Sequence, residues 1–103
     1  MEKLRTRLTG EEATFLMSKF YIIYKNFKIN NIEDISNHYL LGEVLNRIIP
    51  IHFKGGRLSL SPAEAVSLMK VIYTTNITVA DNWSEVILQD FVNKLHKYLT
   101  DLL

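Results

Sequence analysis

The chain has no cysteine, which removes disulfides, thiolate nucleophiles and cysteine metal sites and gives no sign of an oxidising compartment. Proline is scarce as well: Pro50 and Pro62 are the only two in 103 residues, so most of the chain is open to long helices. Of four glycines, only Gly55 and Gly56 are adjacent, and they lack the further glycines and strand-to-helix setting of a phosphate-cradling loop. An excess of charge of one sign is also missing. Twelve Lys and Arg against eleven Asp and Glu leave a net charge of +1, so nucleic acid or an anionic membrane would have to be held by a local patch. No apolar run approaches the ~18–20 residues of a bilayer crossing, and Met1-Glu2-Lys3-Leu4-Arg5-Thr6-Arg7 has no apolar core of a secretory signal behind its charges. A cytoplasmic protein is expected, in which the sequons Asn76-Ile77-Thr78 and Asn82-Trp83-Ser84 are chance matches.

What the chain does have is apolar material, 48% of its residues, enough for one packed domain over 1–103. It also has an internal repeat. Residues 8–21, LTGEEATFLMSKFY, set above 60–73, LSPAEAVSLMKVIY, share Leu8/Leu60, Glu12/Glu64, Ala13/Ala65, Leu16/Leu68, Met17/Met69 and Tyr21/Tyr73. Both segments open with a capping box, Thr9 with Glu12 and Ser61 with Glu64, and Pro62 suits a first helical position. Leu8 and Leu60 precede the caps as staples on Ala13 and Ala65.

From these starts Ala13, Leu16, Met17, Phe20, Tyr24 and Phe27 recur at helical spacing, as do Ala65, Leu68, Met69 and Ile72. Helices are expected at about 10–27 and 62–75. Each is followed by a polar turn and a second cap, Asn31 and Asp81, opening helices whose apolar residues match when shifted by 51: Ile32 with Trp83, Ile35 with Val86, Val44 with Leu95. The last helix should span about 82–101, with Leu88, Val92, Leu95, Leu99 and Leu102 as its packing seam.

The expected fold is therefore all-α: a four-helix bundle of two similar αα-hairpins, repeat halves about 8–49 and 60–102, joined by a linker at 50–59. Within the crossover, Ile51 and Phe53 alternate with polar residues before Gly55-Gly56 and Leu58 and Leu60 after it. The stretch 51–60 is thus either a short β-hairpin or an extended linker.

Catalytic chemistry finds no constellation. His38, His52 and His96 lack metal-ligand spacing, and Glu11, Glu12, Glu33 and Asp34 are explained by the positive ends of the helices that they open. No enzyme activity, metal, cofactor or small-molecule substrate is expected. The aromatic surplus points elsewhere. Phe15, Ile22, Ile23, Tyr39, Trp83 and Tyr98 exceed what helix stripes hide and are the candidate interface of a non-enzymatic protein-interaction module, an adaptor, inhibitor or regulator, binding a partner or itself as a homodimer. Two alternatives accompany it. Lys3, Arg5 and Arg7 before the first helix, and Lys54 and Arg57 before the third, form a candidate basic patch with Arg5 matching Arg57. Together with the helix-turn-helix-like opening Asn31-Ile32-Glu33-Asp34-Ile35-Ser36, they would serve a DNA-binding regulator using residues 32–49. Tyr39-Leu40-Leu41-Gly42-Glu43-Val44 departs from the motif by continuing an apolar run where its turn should fall, and only Asn46 and Arg47 are offered as contacts. A toxin-immunity-type bundle is the third reading, by analogy of fold.

Overall fold

A computed structural model describes residues 2–75 and 82–102. Its order is β1 (Leu4–Leu8), α1 (Gly10–Lys25), α2 (Ile32–Ile48), a 3-10 turn (Ile49–Ile51), β2 (Gly56–Leu60), α3 (Pro62–Thr74) and α4 (Asn82–Asp101). The fold is predominantly α-helical, with one small two-stranded antiparallel sheet.

The helix starts follow the expected chemistry. Glu12 N donates to Thr9 Oγ1 at 3.1 Å and Thr9 N to Glu12 Oε1 at 2.8 Å. Ser61 and Glu64 repeat the arrangement at 3.2 and 2.8 Å. Each box satisfies two amides that the helix itself leaves unpaired. Asn31 caps α2 by accepting from Asp34 N at 2.9 Å. The cap expected at Asp81 and the sequon at 76–78 lie outside the described residues.

The crossover differs from expectation. Residues 51–60 do not form a hairpin: Ile51–Lys54 make a 3-10 turn and its exit, and β2 pairs instead with β1, a segment for which no strand was expected. The register sets Leu4 opposite Leu60, Thr6 opposite Leu58 and Leu8 opposite Gly56. Leu8, Leu58 and Leu60 face the helices and are buried, so this non-local pairing covers the core in a way that a hairpin projecting from the crossover would not.

The helices pack in a ring, α1 on α2, α2 on α3, α3 on α4 and α4 on α1, with the ribbon across them. Leu16 and Phe20 of α1, Leu41, Val44 and Ile48 of α2, Leu68 of α3 and Leu95 of α4 are almost wholly buried, each full-sized side chain contributing about 1.5–3 kcal/mol of hydrophobic stabilisation. The Phe20 and Phe91 rings meet at 5.8 Å between centroids.

Three features of the expected core are revised. Ile32 and Ile35 of α2 and Val86 of α4 are exposed, because they lie off the faces that those helices bury, Leu41, Val44, Leu45 and Ile48 in α2 and Ser84, Ile87, Phe91, Val92 and Leu95 in α4. Leu102 is exposed at the end of its seam. Ile23, expected at the surface, is instead buried among the core residues of α1.

Candidate functional site

The ribbon's two faces separate by alternation, as successive side chains of a strand must. Leu4, Thr6, Leu8, Leu58 and Leu60 point inward, and Arg5, Arg7 and Arg57 are exposed on the opposite face with the half-exposed Ser59. Arg7 is paired with Arg57, and Arg5 with Ser59. Directly opposed residues of an antiparallel pair have Cβ atoms about 4.5–5.5 Å apart, so two guanidinium groups stand side by side with repulsion between them.

More cations surround the arginines. Lys3 is exposed at the start of β1, and Lys54 joins Arg7, Gly55 and Gly56 around a concavity at one end of the ribbon. Along the outer edge of β1, α4 brings Lys94 and Lys97 to a groove of about 510 Å³ shared with Arg5, Arg7 and Tyr98. Lys94 Nζ donates to Thr6 Oγ1 at 3.2 Å and Tyr98 Oη to the Glu2 carbonyl at 2.7 Å, fixing the helix against the strand. The ion pairs of Arg47 with Glu64 and of Lys70 with Glu33 involve no ribbon cation. Seven of the chain's twelve Lys and Arg therefore gather at one surface of a nearly neutral protein.

The five basic residues picked out in the sequence are thus assembled at one ribbon. Lys94 and Lys97 were missed, because only the packing of α4 on β1 brings them there. The helix-turn-helix-like opening at 31–36 leads into no turn within 32–48. Residues 32–48 run as one unbroken helix whose Leu41, Val44, Leu45 and Ile48 are buried, and the Arg47 guanidinium is taken by Glu64 and by the Ser59 carbonyl, at 2.6 Å from Nη1.

The aromatic candidates are dispersed. Phe15 and Trp83 meet edge to face at 6.3 Å, and Phe53 lines the same shallow depression. Ile22 is exposed near the end of α1, Tyr39 is exposed on α2, and Tyr98 is half-buried against β1. Two other apolar surfaces stand out. Ile32, Ile35 and Tyr39 form an exposed stripe on α2, and a groove of about 770 Å³ lies between α2, α3 and α4, lined by Leu40, Val66, Leu99 and Leu102. No helix of the described residues is long and apolar enough to cross a membrane.

His38 stacks on Tyr24 at 4.1 Å with its Nε2 3.3 Å from the Tyr24 carbonyl, His52 sits against Phe53, and His96 lines the α2–α3–α4 groove. Among the described residues no group of three or more His, Asp or Glu is placed to hold a metal ion. Comparison with protein-family models, with curated proteins and with solved structures finds no match to this chain.

Proposed function

We propose that the chain binds duplex DNA by laying the outer face of its two-stranded ribbon into the major groove. The observation that carries this reading is the pairing of Arg7 with Arg57 on an exposed face that also presents Arg5. Strands lie about 4.8 Å apart, and a major groove about 12 Å wide admits a two-stranded ribbon. Arg offers a bidentate fork to the O6 and N7 acceptors of guanine, and Lys3, Lys54, Lys94 and Lys97 are placed around the ribbon for phosphate.

The composition of the face separates this partner from others. Protein interfaces are centred on apolar and aromatic residues with charge depleted at the core, whereas none of the large exposed apolar residues belongs to either strand. Double-stranded RNA closes its major groove to side chains, which favours DNA.

We infer further that the halves are duplicates related by a pseudo-two-fold axis through the ribbon. In support, the repeat offset of 52 makes Thr6 equivalent to Leu58, and these two residues face each other in the register. A duplex has dyads of its own, so the two axes can coincide.

The test is fluorescence anisotropy of a labelled random-sequence duplex at low salt. Binding that weakens as salt rises, and is lost in Arg5→Ala/Arg7→Ala/Arg57→Ala, supports the reading. No binding by the unmodified chain at low salt ends it.

A second reading, docking of a protein partner by helical faces, draws on the apolar α2–α3–α4 groove and the Ile32, Ile35 and Tyr39 stripe. Light scattering across concentration tests its homodimeric form. A monomer at every concentration excludes self-association through these surfaces.

A further inference from the structure

Resting on the DNA reading above, we infer that the chain recognises a non-palindromic site, richer in guanine contacts in one half than in the other. The repeat offset makes Arg5 equivalent to Arg57 and Arg7 equivalent to Ser59. The register then divides the outer face into unlike ends: Arg7 and Arg57 share one, and Arg5 and Ser59 share the other. A two-fold ribbon built from two identical chains would carry the same residues at both ends. This one presents two guanidinium groups to one half-site and a single guanidinium with a hydroxyl to the other.

The chemistry of the two side chains makes the difference legible in sequence. A bidentate Arg selects guanine over other bases by roughly five- to 150-fold, whereas a Ser hydroxyl donates or accepts and discriminates little. The flank carries a second, independent asymmetry. Lys94 and Lys97 of α4 line the groove beside β1, and the positions matching them in α2 under the shift of 51 are Glu43 and Asn46, with no cation. Phosphate contacts therefore strengthen on the β1 side alone, which fixes the direction in which the ribbon lies on an asymmetric sequence.

Selection of bound duplexes from a random pool by the full chain tests the inference. Selected sites with guanines at two positions of one half and one position of the other are expected. Ser59→Arg and Arg7→Ser each restore like residues at both ends, and both are expected to shift selection towards palindromes, with two guanine positions per half for the first and one for the second. Palindromic sites for the unmodified chain, or retention with no base preference, would overturn asymmetric recognition while leaving DNA binding in place. Failure of the chain to retain any duplex at low salt would instead remove the reading on which it rests.

Discussion

Arg7 of β1 lies directly across the antiparallel ladder from Arg57 of β2, both on the solvent side of the ribbon. Like charges in this position oppose pairing, so the residues weaken the strand contact that covers Leu58 and Leu60. A face selected for stability alone would alternate its charges. Replacing Arg7 by Glu is expected to raise unfolding free energy by about 0.5 kcal/mol, the scale of an exposed cross-strand pair, while abolishing duplex binding. Urea unfolding and anisotropy on the same variant check the two effects. Lower stability would show that Arg7 has favourable contacts within the fold.

Arg47 supports the other edge of the ribbon. Its guanidinium donates to the buried Glu64 carboxylate, and Nη1 also donates to the Ser59 carbonyl on β2. Glu64 in turn accepts from Ser61 N, so the Arg47–Glu64 pair links α2, β2 and the start of α3. Arg47→Met leaves that carboxylate without its cation. A loss of about 2–4 kcal/mol is expected, at the lower end for a buried pair because the Arg47 side chain is 37% exposed. Denaturant titration measures it, and adding Glu64→Gln is expected to recover part of the loss.

The helices were legible from local chemistry, because each capping box and each apolar stripe lies within a few residues. The ribbon was not. Leu4, Thr6 and Leu8 alternate as a strand should, yet five residues of alternation bracketed by charges have no local sign of a partner about fifty positions away. Gly55-Gly56 offered a nearer turn, so a local hairpin and an unpaired linker were the alternatives that the sequence suggested, and the non-local pairing was neither. The match of Arg5 with Arg57 was visible in the repeat, but that both stand on the outer face followed only from the register. Apolar matches alone do not mark core: Ile32 and its match Trp83 are both exposed, Trp83 as its place among the candidate interface residues implied.

The turn before β2 carries strain that can be measured. Phe53 adopts φ of 72°, a left-handed conformation costly for a bulky residue, and its amide donates to Thr14 Oγ1 at 3.0 Å. Asn tolerates that conformation better, so Phe53→Asn is expected to stabilise by about 0.5–1 kcal/mol. The same turn presses on α1, where a Cβ at Gly10 would stand 2.0 Å from the Phe53 carbonyl oxygen. Gly10→Ala is expected to cost about 2 kcal/mol or more as the turn is displaced. Thermal unfolding of the two variants should move in opposite directions.

Exposure separates two sets of apolar residues on one helix. Ile32 is 84% exposed and Leu41 1% exposed, although both are aliphatic residues of α2. Leu41→Ala is expected to cost about 2–5 kcal/mol through lost burial and the cavity left behind. Ile32→Lys with Ile35→Glu should change stability by no more than about 0.5 kcal/mol for each substitution. Light scattering on the second variant adds a functional readout. If the unmodified chain dimerises and this variant does not, the stripe is a self-association face. A dimer in both directs attention to the α2–α3–α4 groove.

Lys94 and Lys97 flank the ribbon at a groove that also holds Arg5 and Arg7 against the single carboxylate of Asp101. Contacts to phosphate carry no base information, so Lys94→Ala and Lys97→Ala are expected to weaken all duplexes by a similar factor. Each lost phosphate contact should also lower the slope of log affinity against log salt by about 0.9. Arg57→Ala should behave differently, penalising guanine-containing sites more than others because its fork reads a base edge. Salt titrations on a selected and a random duplex distinguish the two behaviours. A lysine variant that changed base preference would move that residue from the backbone into the groove, and the width assigned to the recognition face would have to grow to include α4.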